Sequence, residues 1–193
     1  ISVNLSGRQL RDPKIVDLVK DSLAATDLPP EALEIEIAEA SLIDAPQEVQ
    51  SRLTALRNAG VRVAIDDFGS GHSSLGQLRR TQFDCLKLDR SLTADLCTDL
   101  GAMGVTAAVV AMARALHIRS VAEGVEDAAT LDMIRAVGCD EIQGFYVSRP
   151  LSAGDFEQWL EAGGAAALRV REAHVLDTQL DSDDETGARG AAG

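Results

Sequence analysis

The stretch VRVAIDDFGSGHSS, Val61 to Ser74, poses the question on which the fold turns. Val63 and Ile65 alternate with Ala64 and Asp66, the period-two pattern of a β-strand. The strand then runs straight into a second carboxylate, Asp67, and a loop holding Gly69 and Gly71. Adjacent carboxylates repel each other. Taken alone, such a pair reads more often as a turn or a helix cap than as a site, and the rest of the chain decides between the two.

Five comparable runs recur: SVNLS (2–6), LEIEI (33–37), DCLKLD (84–89), SVAEG (120–124) and EIQGF (141–145). Segments with helical spacing lie between most of them. Ile15, Leu18, Val19 and Leu23 form one stripe; Val49, Leu53 and Leu56 form another, opened by Pro46 and closed by Gly60. Met103 to Leu116 is helical by its alanine content, with a blurred stripe. Asp127 caps a helix carrying Leu131, Ile134 and Val137 that stops at Gly138, and Ser152 caps a last one with Phe156, Trp159 and Leu160.

Strands alternating with helices imply a parallel sheet, either doubly wound or closed as a barrel. In each strand one face is aliphatic, while the other carries a polar residue towards the carboxyl end: Asn4, Glu36, Asp66, Lys87 with Asp89, Glu123 and Gln143. A parallel sheet is buried on both faces, and six polar residues in phase fit the mouth of a barrel better than a sheet covered by helices on both sides. The expected fold class is therefore α/β, a TIM-like (β/α)8 barrel truncated at the N-terminus so that about six strands remain, the missing pair preceding Ile1. Residues 1–162 are assigned to the barrel. Residues 163–193, small and acidic, are read as a frayed helix to about Val175 followed by a disordered tail.

Composition narrows the chemistry. Of 193 residues, 46% are hydrophobic but only 3% aromatic, which suits an aliphatic core. A net charge of −13 without a basic run argues against a non-specific grip on duplex nucleic acid. Cys85, Cys97 and Cys139 are odd in number and widely spaced, which favours free thiols over disulfides or zinc. His72, His117 and His174 show no ligand spacing. No run is long enough to span a bilayer, and a cytoplasmic location is expected, with the parent chain open to membrane tethering.

At the mouth, carboxylates outnumber the single cation, Lys87, and that excess is costly in a partly dry cleft unless positive charge arrives from elsewhere. Oxygen ligands without His or Cys point to a hard divalent ion, Mg²⁺ or Mn²⁺. A carboxylate such as Asp66 can bridge two such ions, the arrangement used for attack on phosphodiesters.

The motifs VNLS, EIEIAEAS, DDFGSGHSSL, LKLDRS, VAEGVE and QGFYVSRPL, in this order from Ile1 to about Trp159, resemble the successive strand ends of EAL-domain proteins. That resemblance implies a bacterial phosphodiesterase that opens one bond of cyclic di-GMP to give linear pGpG with two Mg²⁺ or Mn²⁺ ions. It casts Asn4, Glu36, Asp66 and Asp67 as metal ligands, Asp66 bridging. Lys87 holds the attacking water, Asp89 orients that lysine, and Glu123 is the general base. Glu126 and Gln143 complete the metal and substrate shell, and Glu39 anchors the glycine loop. Ala38, Ser70 and His72 stand where the family commonly has Thr, Thr and Tyr. The glutamate of the Glu-Ala-Leu motif falls upstream of Ile1, so the chain is read as a fragment open to being inactive by itself even where its parent is a competent enzyme. Homodimerisation and an upstream sensory or GGDEF domain are the partners the resemblance implies. The alternative from another class is a catalytically degenerate domain that acts as a cyclic di-GMP receptor or protein-interaction module.

Overall fold

Six strands lie side by side in one sheet in strict chain order: β1 (Ser2–Asn4), β2 (Glu34–Ala38), β3 (Arg62–Phe68), β4 (Cys85–Leu88), β5 (Arg119–Ala122) and β6 (Glu141–Ile142). Every neighbouring pair is parallel. Among the described residues the order never reverses, which sets the sheet apart from the doubly wound kind with its switch point; this is the sequential winding of a TIM-type barrel, present here as six strands. The computed structural model describes residues 1–42, 47–71 and 82–163. The helix start at Pro46, the loop residue His72, the segment 73–81 and the tail beyond Gly163 lie outside the described residues.

The helices are α1 (Gly7–Leu10), α2 (Ile15–Thr26), α3 (Gln47–Asn58), α4 (Arg90–Thr93), α5 (Leu100–Ala115), α6 (Ala128–Val137) and α7 (Ala153–Glu161). Local chemistry sets their ends. Asp127 accepts the Thr130 N–H at the start of α6, and Gly138, at φ +78°, closes it in the left-handed region. Ser152 caps α7 through the Asp155 N–H. Helix α5 begins at Leu100 under an Asp99 cap, ahead of the Met103 suggested by pattern, because the cap tolerates Gly101 and Gly104 within the first turns.

The outward face of the sheet is the core. Ile35, Ile37, Val63, Ile65 and Leu86 pack with Leu53 and Leu56 of α3. Leu88, Ala122 and Ile142 pack with Val110 of α5 and with Leu131 and Ile134 of α6. Each such fully buried aliphatic side chain contributes about 1.5–3 kcal/mol. The inward face is filled near its centre by small residues, Ala64, Cys85 and Val121, which leaves room for charge. Pattern puts Val3 with Leu5 on the covered face, yet Leu5 is buried while Val3 is 46% exposed, because β1 has a partner on one side only.

Candidate functional site

Two carboxylates in succession on a strand should point to opposite faces. A bulge prevents this. Between Ile65, opposite Leu86, and Phe68, opposite Leu88, β3 uses three steps where β4 uses two, and the extra residue is accommodated at Asp67, which takes φ +57°. The bulge resets the alternation, so Phe68 returns to the core, 3% exposed, and Asp66 and Asp67 are both left at the strand end. A left-handed φ at a non-glycine residue costs of order 1–3 kcal/mol and collects at functional sites.

Glu36 and Lys87 lie within β2 and β4, while three further residues sit one step past their strands, each hung on a carbonyl at the end of the neighbouring strand. Asp89 N–H donates to Phe68 O (3.0 Å), Glu123 N–H to Leu88 O (3.1 Å) and Gln143 N–H to Ala122 O (2.8 Å). Three carboxylates, those of Glu36, Asp66 and Glu123, converge on Lys87. Its ammonium, almost fully buried, donates to Glu36 Oε2 at 2.9 Å and pairs with Asp66 Oδ1 at 3.1 Å and Glu123 Oε1 at 2.8 Å. Burial by itself would lower the lysine's pKa, but the hydrogen bonds to Glu123 and Glu36 and the charges around it hold it well above the ordinary value. Burial pushes the Glu123 carboxyl up; Lys87 opposes this, while Asp66 and Glu36 add to it. Burial and then the charge of Asp66 likewise raise Asp67.

A divalent cation fits this arrangement. Asp66, Asp67 and Glu123 each offer an oxygen within 4.8 Å of the others. Asp66 Oδ1 is buried and lacks a hydrogen-bond partner despite the nearby ammonium, an arrangement that is costly unless another positive charge serves it. Among the described residues the tight carboxylate group contains Glu123 and not Glu36, although Glu36, Asp66 and Glu123 all pair with Lys87; Asn4 is exposed at the end of β1.

The remaining candidates take different places. Asp89 caps α4: its carboxylate accepts the Ser91 N–H at 3.0 Å, and the serine's hydrogen bonding holds its pKa down. Glu39 is buried, and its Oε2 accepts the Gly69 N–H at 3.4 Å. Glu126 is paired with Arg90 at 3.2 Å near the surface. Gln143 accepts the Val125 N–H through its backbone carbonyl and lines a cavity of about 690 Å³ on the inward face, which reaches Glu36 and Lys87 and extends to Phe145, Arg149 and Trp159. Asp66, Asp67 and Glu123 lie beyond that cavity at the strand ends.

Two features were not found from sequence. Beneath the site, Arg119 pairs with Glu34 and with Glu141 at 3.1 Å. Their two- and four-residue spacing from Glu36, Gln143 and Glu123 was the available signal. Beside them Cys85, wholly buried, has its thiol pushed up to about 12, chiefly by burial. All three cysteines are free, and only Cys97 is exposed. Iodoacetamide at neutral pH should therefore label Cys97 in the folded protein and reach Cys85 and Cys139 only after denaturation; peptide mass spectrometry checks the order, and prompt native labelling of Cys85 would contradict this burial.

Gly144 is the second. A Cβ there would lie 2.5 Å from Val125 N and closer still to Val125 O, backbone atoms held by hydrogen bonds to Gln143 and Tyr146. The two loops carrying Glu123, Glu126 and Gln143 cross at this point, and only glycine permits it. Gly144→Ala is expected to cost about 3 kcal/mol, read as a shift in the denaturant midpoint; a wild-type midpoint would show that the crossing can open.

A parallel, sequentially wound barrel-type sheet with a lysine-centred carboxylate cluster at its carboxyl ends defines an α/β barrel-type protein whose candidate site offers oxygen ligands suited to a hard cation. The EAL domain family model matches residues 1–150. The chain belongs to the EAL domain family. It is 38% identical over 162 residues to the cyclic di-GMP phosphodiesterase NbdA of Pseudomonas aeruginosa, covering 84% of this chain and 21% of that protein. It is 38% identical over 160 residues to the signaling protein YkoW of Bacillus subtilis, covering 83% and 20%. The chain thus spans about a fifth of the length of the curated relatives it matches. Among solved structures, the EAL domain of Mycobacterium smegmatis DcpA superposes with a TM-score of 0.80 at 35% identity, over 84% of this chain and 72% of that one. A manganese and cyclic di-GMP complex of Klebsiella pneumoniae BlrP1 gives 0.74 at 38%, over 77% and 38%.

Proposed function

We propose that this domain hydrolyses cyclic di-GMP to linear pGpG, using two Mg²⁺ or Mn²⁺ ions. The observation that carries the reading is the set of Asp66, Asp67 and Glu123 oxygens within 4.8 Å of one another, with a buried Asp66 Oδ1 that accepts no hydrogen bond although the Lys87 ammonium lies 3.1 Å away. Relatives named as cyclic di-GMP phosphodiesterases support the substrate.

In this reading Asp66, Asp67, Asn4 and Glu36 would hold the ions, with Glu123 adjoining. Bound there, a divalent cation supplies Lewis-acid polarisation of the phosphodiester and a more acidic water. Glu123 takes the proton from the attacking water, its pKa raised by burial towards the operating pH. Water oxygen bonds to phosphorus as the bond to the ribose 3′ oxygen breaks, leaving a 5′-phosphate and a 3′-hydroxyl. Lys87 offsets the negative charge that grows on the phosphoryl oxygens. Gln143 and Glu126 contact substrate or ions at the rim, and Glu39 holds the glycine loop through Gly69. Asp89 contributes by capping α4, a different part from orienting Lys87.

We place the reaction in the cytoplasm, in a chain that pairs with a second copy and carries a further signalling module. A relative named as bifunctional diguanylate cyclase and phosphodiesterase supports the last point. The test is incubation of the full-length protein with cyclic di-GMP and Mn²⁺ or Mg²⁺, following pGpG by chromatography, with a chelated control. Metal-dependent pGpG is expected. Tight binding without turnover would replace this reading with that of a receptor.

A further inference from the structure

Helix α4 is a single turn, yet three of its four side chains meet loops of the site. Arg90 pairs with Glu126 and packs under Gly124, where an added Cβ would lie 2.6 Å from Arg90 Cγ. Leu92 lies against Gly69, its Cδ1 2.5 Å from where a Cβ would be. Thr93 is wholly buried, and its hydroxyl lies 2.7 Å from the main-chain carbonyl of Glu123, thirty residues away. The hydroxyl has one proton and two acceptors in reach. Arg90 O, at 3.0 Å, is the ordinary back-bond within a helix, but that carbonyl already accepts the Ala94 N–H. The shorter bond to Glu123 is the one that joins separate elements.

The bond matters because a glycine comes next in the chain. Gly124 sits at φ +68°, and a glycine next to a peptide leaves that peptide free to rotate. The Glu123 N–H is fixed on Leu88 O, and the Thr93 hydroxyl fixes the carbonyl at the other end of the residue. The residue is thereby pinned on both sides, with its carboxylate 2.8 Å from Lys87 Nζ.

We propose that Thr93 is a positioning residue for the reaction: its buried hydroxyl holds the Glu123 backbone so that the carboxylate stays on the Lys87–Asp66 cluster. This rests on the phosphodiesterase reading for its effect on turnover, though not for its effect on the loop. A displacement of about 1 Å at a reacting group can cost ~10²-fold in rate, whereas substrate contacts made elsewhere are untouched. The signature is therefore a fall in kcat with little change in KM.

The experiment uses the full-length protein with Mn²⁺ and three variants. Thr93→Val keeps the shape and removes the donor, Thr93→Ser restores the donor, and Ser120→Ala deletes another buried hydroxyl, bonded to Asp140 near the start of β5. The first should lower kcat by about 10- to 100-fold with KM within about 3-fold; Thr93→Ser should recover most of it, and Ser120→Ala should leave kcat unchanged. Hydrogen exchange should quicken at the Gly124 to Glu126 amides in Thr93→Val alone. Should Thr93→Val not fold, Thr93→Cys takes its place, its thiol a weak donor of similar size. Wild-type kcat in the donor-free variant, equal losses in Ser120→Ala, or no rescue by Ser would overturn the proposal. Should the wild type leave cyclic di-GMP uncut, the phosphodiesterase reading fails, and exchange alone decides: acceleration confined to this loop upholds the positioning role, and unchanged exchange removes it.

Discussion

Lys87→Met should lower turnover of cyclic di-GMP by about 10³-fold and destabilise the protein by about 3–5 kcal/mol. Both effects come from one geometry. The ammonium is 6% exposed and lies within 3.1 Å of Glu36, Asp66 and Glu123, themselves 9%, 15% and 18% exposed at the side chain. Methionine fills the same space, so packing is spared, and three carboxylates are left to face one another out of water. Because the loss is electrostatic, Glu36→Gln in the Lys87→Met background should recover part of the stability without recovering any turnover, a coupling that a double-mutant cycle measures directly. Urea midpoints and initial rates on the four proteins suffice. Lys87→Met with wild-type stability would mean that the carboxylates are already neutral and the cluster is not charged as described.

Periodicity explains why this cluster was half visible in the sequence. Strands β2, β4 and β5 alternate cleanly, so Glu36, Lys87 and Glu123 are assigned to one face by counting alone, and the parallel, sequential sheet follows from the helices between them. Helix ends with a chemical signature, Asp127, Gly138 and Ser152, were equally legible. Counting fails where the backbone departs from the period. A strict alternation sends Asp67 to the core face and Phe68 to the mouth, and only the bulge at Asp67 reverses this. It also fails where a side chain has two acceptors or donors within reach. Asp89 is in phase with Lys87 and two residues away, but the free N–H groups at the start of α4 compete for its carboxylate and win. Contacts between loops, such as Gly144 on Val125 or Thr93 on Glu123, depend on tertiary approach and carry no pattern along the chain.

Asp66→Asn should move stability and activity in opposite directions, which separates a metal ligand from a structural acid. In the metal-free protein Asp66 is incompletely compensated: its buried Oδ1 lies 3.1 Å from the Lys87 ammonium, which Glu36 and Glu123 share, and accepts no hydrogen bond, and its charge is among the causes that raise Asp67 and Glu123. An amide of the same shape removes that charge, while Lys87 keeps Glu36 at 2.9 Å and Glu123 at 2.8 Å. The gain should be about 1 kcal/mol, or about 2–4 °C in Tm for a chain of this size. With Mn²⁺ the order should invert. A cation that binds only the folded state stabilises it by about 2.7 kcal/mol at a hundredfold excess over Kd, and that increment should appear in the wild type and be absent from Asp66→Asn. Turnover should fall by about 10³-fold or more, since a carboxylate proposed to hold the ions is gone. Thermal melts with and without Mn²⁺, read beside pGpG formation, give both signs from one preparation. An Asp66→Asn protein that melts below the wild type without metal, or that still gains Tm from Mn²⁺, would place the ion elsewhere and leave Asp66 as a partner of Lys87 alone.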